Sequence, residues 1–245
     1  MILKALTKIY RKKLSRIIFN RHKGMVQYGP YKGLMLDGTS NVSEGPLALK
    51  VLGLYESQVV KKIKSLKFET LVNLGAADGY MALGPLFNKQ CQRSICFEMT
   101  EKGRKAVIKN ASLNHIPSKN LIVRGIADKT LLTQLHEIGI EPKKCLFLCD
   151  IEGAEFEVLS TKLLEYLKGA SFIIELHDRH LPEGTTLRKK LIDKLPTGAN
   201  FEILSDTSSQ NFKDIPDLEN LSDNERALVM SEGRKYFGEW LYIHY

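Results

Sequence analysis

The stretch Thr70–Gly84, TLVNLGAADGYMALG, decides the fold class of this 245-residue chain. It begins with a mostly apolar run that fits a buried β-strand, and Gly75 and Gly79 then mark a turn before a helical segment. In open α/β sheets, ligands bind where such turns leave the carboxyl ends of the strands, because small residues let the backbone approach them. The stretch therefore predicts a strand-turn-helix unit with a ligand at the turn, although an ordinary corner without a ligand would have the same pattern.

The residues of the turn indicate which ligand it binds. Glu98 ends the next apolar run, RSICFE, at the distance from Gly75 where a strand-end acid reaches the hydroxyls of a ribose. A dinucleotide fingerprint would need glycines where Ala77 and Tyr80 stand, and no triphosphate-binding G-x-x-x-x-G-K-[ST] string occurs in the chain. S-adenosylmethionine is therefore the predicted cofactor, since its amino and carboxylate groups replace phosphates and can contact a polar side chain such as Asp78.

The rest of the chain alternates short apolar strands with amphipathic helices. We predict strands at RSICFE, LIVRG, KCLFLC, SFIIEL, FEIL and EWLYIHY, which begin at residues 93, 121, 144, 171, 201 and 239. This alternation is typical of a parallel sheet with helices on both faces. The last strand follows FEIL without a strong helix between them, so we expect it to insert antiparallel. The prediction is a seven-stranded, mostly parallel α/β sheet.

A single helix is predicted over Ala154–Leu167, where apolar residues recur at the spacing of one buried helix face. These residues are Phe156, Leu159, Leu163 and Leu167.

Four strings resemble, in order and spacing, the motifs of the FkbM-like S-adenosylmethionine-dependent methyltransferases. They are LVNLGAADGYMALG, FEMTEKGRKAVIKNASLN, CDIEGAEFEVLS and SFIIELHD, which begin at residues 71, 97, 149 and 171. The upstream strings GPYKGL and GLYE extend the resemblance to roughly residues 25 to 180. The chain departs from the family pattern at Asn73, where an acid is usual, and at Ala77 and Asp78, where an asparagine is usual. The resemblance implies a class I methyltransferase fold and O-methylation of a sugar or another hydroxyl-bearing natural product.

Cofactor contacts are predicted at the carboxyl ends of the first four strands. Glu98 is the candidate for the ribose hydroxyls, and the residues from Ile126 to Asp128 follow the third strand, where adenine usually rests in this fold. A solvated acid and a plain turn are the alternatives. The predicted cofactor-binding residues are Asn73, Gly75, Ala77, Asp78, Gly79, Tyr80, Glu98, Met99, Ile126, Ala127, Asp128 and Asp150.

Catalytic residues are predicted at the ends of the fourth and fifth strands, where Asp150, Glu175 and His177 should meet across the crevice. A hydroxyl acceptor must lose its proton during methyl transfer, and His177 is the preferred base because an unperturbed histidine has a pKa near ~6.5. A magnesium site built on Asp150 is the less favoured alternative, so the metal is left open. Glu152 and Glu155 follow closely, and either a helix-capping or a functional role fits them.

The net charge of +8 is concentrated at the amino-terminal end of the chain. Residues 1 to 36 hold nine Lys or Arg and no acid, so the remainder has 27 basic and 28 acidic residues. Apolar residues recur there at helical spacing between the basic ones, at Leu3, Leu6, Tyr10, Leu14 and Ile17. We therefore predict a basic amphipathic arm over residues 1–24 and one methyltransferase domain over residues 25–245. The arm suits an anionic membrane surface, or packing on the body or on a second subunit of a homo-oligomer.

The four cysteines fall in or beside predicted strands and form no C-x-x-C pair. Neither a zinc site nor a local disulfide is expected, and buried free thiols favour a reducing compartment, the cytoplasm. The polar segment 205–234 is predicted to be a substrate-selecting lid or an inert loop, with a helix near Asp223–Ser231.

Methylation of a hydroxyl on a glycan or small molecule is the preferred function. A nucleic-acid methyltransferase is disfavoured, because only the arm is basic and no N/D-P-P-[YF] string follows the fourth strand to stack a flipped base. A non-catalytic protein that binds through its arm is the third alternative.

Overall fold

The computed structural model describes residues 2–39, 45–205, 215–231, 236 and 238–245, with side chains from residue 5 onward. Within these residues a seven-stranded sheet is covered by helices on both faces. The strands are β1 (Thr70–Leu74), β2 (Arg93–Phe97), β3 (Leu121–Arg124), β4 (Cys145–Cys149), β5 (Ser171–Glu175), β6 (Asn200–Ser205) and β7 (Glu239–His244). The α-helices are α1 (Ile2–Arg21), α2 (Leu47–Val51), α3 (Ser57–Ser65), α4 (Tyr80–Phe87), α5 (Glu101–Leu113), α6 (Leu131–Ile138), α7 (Glu155–Val158), α8 (Thr161–Tyr166), α9 (Gly184–Asp193) and α10 (Asp223–Met230).

The order of the strands in the sheet is β3-β2-β1-β4-β5-β7-β6. The first five strands are parallel, and β7 lies antiparallel between β5 and β6. This arrangement confirms the predicted fold class, including the antiparallel insertion of the last strand. Because β1 pairs with both β2 and β4, the direction of strand addition reverses there, and the crevice between β1 and β4 is where open α/β sheets bind ligands.

The central strands β1 and β4 have no solvent-facing side because both faces of the sheet carry core there, whereas the edge strand β6 is mostly exposed. All five residues of β1 are buried. Leu71 belongs to the cluster that includes Ile18 of α1, whereas Val72 and Leu74 belong to the cluster on the opposite face. Side chains alternate across a strand, so a strand buried on both faces must be nearly continuously apolar, as the sequence is.

The prediction of one helix over Ala154–Leu167 is wrong. The chain leaves helical geometry at Leu159, whose ψ is 71°, and starts again at α8, where the Ser160 side chain accepts a hydrogen bond from the Leu163 N–H. Ser160 caps the second helix at its amino end. The apolar residues on which the prediction rested are nevertheless buried together: Phe156, Leu159, Leu163 and Leu167.

The amino-terminal arm is helical, as predicted, but a different face of it contacts the body. Leu14, Ser15, Ile18 and Phe19 are buried. Of the predicted stripe, Leu14 alone among the described side chains is buried, whereas Leu6, Tyr10 and Ile17 are 56%, 45% and 47% exposed. The side chain of Leu3 lies outside the described part of the chain. The domain boundary at residue 24 stays a prediction.

Among the described residues, none of the helices combines the length and apolar character that crossing a membrane requires. In the segment 205–234, α10 confirms the predicted helix, while residues 206–214 and 232–234 of the predicted lid lie outside the described residues.

Candidate active site

Two loops meet at the crevice between β1 and β4. The loop after β1 passes so close to the end of β4 that a Cβ on Gly75, whose φ is +83°, would lie 1.7 Å from the backbone oxygen of Asp150. Ala77 then takes a left-handed conformation, with φ of 49°. Its N–H donates a hydrogen bond of 2.9 Å to Oε2 of Glu98, which holds the turn against the end of β2.

A cavity of about 300 Å³ opens at this crevice, within the size range of small-molecule sites. It brings together much of the predicted cofactor set, contributed by the loops after β1, β2, β3 and β4. The lining residues are Gly75, Ala77, Phe97, Glu98, Met99, Ile126, Ala127, Asp150, Ile151, Glu152 and Ala154. The wall is apolar where Met99 and Ile126 stand, and both side chains are exposed to it and to solvent.

Glu98 is the acid on the wall of this cavity. Its Oε1 accepts hydrogen bonds from the backbone N–H of Thr100 and from the Thr100 hydroxyl, at 2.8 Å and 2.6 Å. A Cβ on Gly103 of α5 would lie 2.6 Å from the Glu98 carboxyl carbon. The carboxylate is therefore held in one orientation, and the glycine on the neighbouring helix leaves it the space.

A second, narrower polar pocket adjoins the cavity at Gly75, Ala77 and Asp150 and is bordered by α2 and α4. Its lining residues are Lys50, Tyr55, Glu56, Asn73, Gly75, Ala76, Ala77, Asp78, Tyr80, Met81, Leu148, Asp150 and Trp240. The pocket therefore takes in three more of the predicted residues, Asn73, Asp78 and Tyr80. The Oδ1 atom of Asn73 is buried and has no hydrogen-bond partner among the described residues. An unsatisfied buried acceptor is costly, so this atom is suited to receive a donor from a ligand.

Sequence reasoning missed Lys50 in this pocket. Its ammonium lies 2.6 Å from Oδ2 of Asp78, and both side chains are buried. The rings of Tyr55 and Tyr80 lie below it, with centroids 5.0 Å and 5.7 Å from Nζ. The available signal is the string LALKVL, in which one lysine interrupts an apolar helix and so has to find a buried partner.

Asp150, Glu175 and His177 lie together beside the cavity, as the sequence predicted. One imidazole nitrogen of His177 and one carboxylate oxygen each of Asp150 and Glu175 lie within 4.8 Å of one another. Nε2 of His177 is 3.7 Å from Oδ1 of Asp150 and 3.9 Å from Oε2 of Glu175. A third carboxylate, that of Glu152, approaches Nε2 to 3.6 Å from the solvent side.

Glu155 supports this cluster through its contacts with His177. The sequence left its role undecided between helix capping and function. Glu155 is fully buried at the start of α7. Its Oε1 accepts hydrogen bonds from the backbone N–H of His177 at 2.9 Å and lies 3.2 Å from Nδ1 of the same ring. Its Oε2 accepts from the N–H of Gly153. Glu155 therefore fixes the imidazole with Nε2 pointing to the other carboxylates.

The carboxylates of the cluster shift the pKa values of Asp150 and His177. Burial and the neighbouring Glu175 raise the pKa of Asp150 well above its ordinary value. Burial by itself lowers the pKa of His177, but the hydrogen bond to Glu155 and the negative charges of Glu155, Asp150 and Glu152 together raise it.

Two predicted cofactor residues do not line either space. Gly79, with φ of 85°, starts α4. Asp128 turns its carboxylate to the next helix, where Oδ1 accepts from the N–H and hydroxyl of Thr130 at 2.8 Å and 2.6 Å. Ile126 and Ala127 line the cavity instead.

No protein-family model matches the sequence, and no curated protein matches it either. The structure, in contrast, is similar to solved structures over most of its length. A candidate O-methyltransferase from Klebsiella pneumoniae shares 13% identity with a TM-score of 0.51 over 94% of this chain and 88% of that one. The O-methyltransferase from Bacillus cereus, solved in complex with SAH, shares 14% identity with a TM-score of 0.50 over 77% and 78%.

The cofactor-bound Rv0187 protein from MTB shares 11% identity, with a TM-score of 0.51 over 78% of this chain and 79% of that one. At these identities the similarity concerns the arrangement of strands and helices. The chain has the Rossmann-like fold of class I methyltransferases.

Proposed function

We propose that this protein is an S-adenosylmethionine-dependent methyltransferase that transfers a methyl group to a hydroxyl. The observation that carries the proposal is the pair of adjoining spaces at the β1/β4 switch point. One has an apolar slot and a fixed carboxylate at Glu98, and the other is a polar pocket at Lys50 and Asn73. Both are lined by Asp150, which also belongs to the acid-histidine cluster.

The donor set fits the parts of S-adenosylmethionine one by one. Met99, Ile126 and Ala127 offer an apolar slot for adenine, and Glu98 offers a carboxylate to the ribose hydroxyls. The ammonium of Lys50 suits the carboxylate of the methionine tail, and the orphaned Oδ1 of Asn73 suits its amino group. The backbone of Gly75 passes where a larger residue would close the crevice. When bound, the cofactor supplies an activated methyl group on a sulfonium.

The chain's own contribution is alignment and removal of one proton. Methyl transfer forms a bond between the acceptor oxygen and the methyl carbon as the carbon-sulfur bond breaks, and that electron pair stays on sulfur. The acceptor O–H proton must leave during the reaction. Positioning an acceptor against an activated donor supplies up to roughly 7–11 kcal/mol of the barrier reduction, and the cluster at Asp150, Glu175 and His177 lies where the acceptor oxygen has to sit.

The FkbM-like resemblance supports a hydroxyl of a glycan or another natural product as the acceptor. The fold likeness to the O-methyltransferase from Bacillus cereus, whose structure holds SAH, is consistent with the same cofactor. Glu98 and the D-x-E-G-A-E string from Asp150 to Glu155 belong to the strings that resemble the family, and they are also residues of the candidate site.

Calorimetric titration with S-adenosylmethionine and with S-adenosylhomocysteine tests the donor site. We expect one site per chain with micromolar affinity, followed by transfer of radiolabelled methyl to hydroxyl-bearing glycans in an acceptor screen. Absence of binding at millimolar cofactor overturns the proposal. Binding with transfer to tRNA instead of glycans would assign the protein to the nucleic-acid methyltransferases, and binding without transfer to any acceptor would assign a binding role.

The exposed stripe of α1 supports a second element of the proposal, attachment to an anionic membrane surface. Leu6, Ile9 and Ile17 lie on one side of the helix and are 56%, 63% and 47% exposed. Lysines and arginines of the same acid-free segment flank them. Such a helix buries its apolar side at the headgroup boundary while its cations meet anionic lipid.

Charge favours lipid over a second copy of this chain. A two-fold contact through the stripe would bring two acid-free basic helices together, and like charges in contact are destabilising. The hydroxyl of Tyr10 donates to Glu225 of α10 at 2.8 Å, which fixes α1 against the body. We therefore place the enzyme at the cytoplasmic surface of a membrane, where a lipid-linked glycan would be within its reach.

A further inference from the structure

The cluster at the end of β4 and β5 has the spacing of a metal site. Ligands at about 2.1 Å from an octahedral cation lie about 3.0 Å apart at neighbouring corners and about 4.2 Å apart across the centre. Nε2 of His177 lies 3.7 Å from Oδ1 of Asp150 and 3.9 Å from Oε2 of Glu175, between these two limits. Small rotations of the side chains would therefore bring all three atoms onto one ion.

The surroundings of His177 are rich in carboxylates, which a cation would stabilise. Four carboxylates surround one imidazole, those of Asp150, Glu152, Glu155 and Glu175. Glu155 and Glu175 are 0% and 7% exposed at their side chains, so solvent screens them weakly. Carboxylates brought this close together repel one another when ionised, and a divalent ion bound between them would stabilise their ionised forms.

The orientation of His177 is the second, independent observation. The residue is 6% exposed. Glu155 occupies the Nδ1 side of the ring, whereas Nε2 lies beyond hydrogen-bond distance of each of the three carboxylates that face it. A carboxylate on one ring nitrogen that directs the other nitrogen into an oxygen-rich site is the usual environment of a metal-bound histidine.

We propose that Asp150, Glu175 and His177 bind one divalent cation beside the donor cavity. Two carboxylates and one imidazole suit a six-coordinate ion such as Mn²⁺ or Mg²⁺, with the remaining positions open to water or to an acceptor oxygen. This replaces the sequence-based preference for His177 as the base. Glu155 is then a positioning residue, which acts on the ion through His177.

The role of the ion in catalysis rests on the proposed function. An acceptor hydroxyl that coordinates the cation loses its proton at lower pH. The proton leaves to water, the oxygen forms its bond to the methyl carbon, and the carbon-sulfur electron pair stays on sulfur. Asp150 lines both the cavity and the pocket, so an oxygen bound at this ion lies next to the donor.

Electron paramagnetic resonance of Mn²⁺ tests the site on the full chain without any cofactor. Free Mn²⁺ gives a six-line signal that weakens on binding, and we expect one ion per wild-type chain. Asp150→Asn and Glu175→Gln should each weaken binding at least tenfold. Glu155→Gln should weaken it by about 10–100-fold through the misplaced imidazole. Excess Mg²⁺ should restore the free signal.

Glu157→Gln is the matched control, because Glu157 is an exposed carboxylate on α7 and should leave Mn²⁺ binding unchanged. Circular dichroism verifies the fold of each variant, and Asp150→Asn and Glu175→Gln serve as two independent readouts should one of them fold poorly. Wild-type protein that leaves the Mn²⁺ signal intact up to about 1 mM, the weak end of protein sites, overturns the proposal, as do folded variants with wild-type binding. Cofactor titration in EDTA separates the two hypotheses. If the chain binds S-adenosylmethionine but not Mn²⁺, the metal site is overturned and the proposed function stands. If it binds Mn²⁺ but not S-adenosylmethionine, the proposed function is overturned and the metal site stands.

Discussion

Nζ of Lys50 lies 2.6 Å from Oδ2 of Asp78, and the two side chains are only 2% and 7% exposed. Lys50→Met would leave the Asp78 carboxylate buried without its cation, and breaking a buried pair in this way destabilises by about 3–5 kcal/mol. We also expect weaker binding of S-adenosylmethionine, since the ammonium faces the polar pocket. Urea unfolding and calorimetric titration measure the two effects.

The control for Lys50 is Lys105→Met. Lys105 pairs with Glu101 on the surface of α5, and these side chains are 75% and 69% exposed. Solvent screens an exposed pair, so its contribution to stability is small, and this one lies away from the lining residues. Equal losses of unfolding free energy in Lys50→Met and Lys105→Met would contradict a larger contribution from the buried Lys50–Asp78 pair.

A substitution at Asn73 should affect cofactor binding more than the stability of the fold. Asn73→Leu keeps the side-chain volume but removes Oδ1, which has no partner within the described protein. The amide nitrogen makes two long contacts with backbone oxygens, at 3.4 Å and 3.5 Å. We therefore expect roughly tenfold or greater loss of S-adenosylmethionine affinity, which is about 1.4 kcal/mol, with a smaller change in unfolding free energy. A variant with unchanged affinity would contradict a ligand role for Oδ1.

Glu98→Gln tests the ribose contact. Hydrogen bonds to charged groups contribute about 1.5–3 kcal/mol, so the affinity for S-adenosylhomocysteine should fall by about 10–100-fold. Glu101→Gln, three residues further on and exposed, is the matched control and should bind normally. A loss seen with adenine-containing ligands that lack a ribose diol would instead indicate damage to the loop at Ala77.

The cysteines should be inert in the folded protein. Burial raises the pKa of Cys91 and Cys145 to about 11 and that of Cys96 to about 12. Since the thiolate is the reactive form, about one thousandth of a thiol with a pKa of 11 is reactive at pH 8. Ellman's reagent should therefore react slowly at pH 8, and with all four thiols after denaturation. Rapid reaction of two or more thiols in the native state would contradict the packing described here.

Flotation with vesicles tests the membrane surface of α1. We expect binding to vesicles with anionic phospholipid, weaker binding as salt rises, and none to zwitterionic vesicles. Leu6→Glu and Ile9→Glu should reduce flotation severalfold. Ile108→Glu is the control, because Ile108 is 56% exposed on α5 and belongs to a different surface. Equal flotation with neutral and anionic vesicles would contradict electrostatic attraction between α1 and anionic lipid.

The centre of the sheet could be predicted from the sequence because burial on both faces forces strands such as β1 and β4 to be apolar runs. The turn residues Gly75 and Gly79 and the strand-end acid Glu98 were predictable for a similar reason: their neighbours along the chain set their conformation. The helix break at Ser160 was not, because a serine within an apolar helical pattern is compatible with a continuous helix or with a cap.

Lys50 and Glu155 show where sequence reasoning stops. Lys50 meets Asp78 across 28 positions of chain, and Glu155 meets His177 across 22. Neither partner can be chosen from spacing alone, since the contact depends on how α2 and α7 pack against the sheet. The choice between His177 as a base and as a metal ligand depends on the same tertiary contact with Glu155.

The left-handed backbone at Ala77 limits how this corner can change in evolution. A residue with a side chain pays about 1–2 kcal/mol in that conformation, and the hydrogen bond from its N–H to Glu98 holds it there. Replacement by glycine would relieve the strain but would stabilise the unfolded ensemble by about 0.4–1 kcal/mol, so the relief of strain is the larger effect. Glycine should therefore be tolerated at this position among orthologues, whereas a branched residue such as valine should be eliminated by selection.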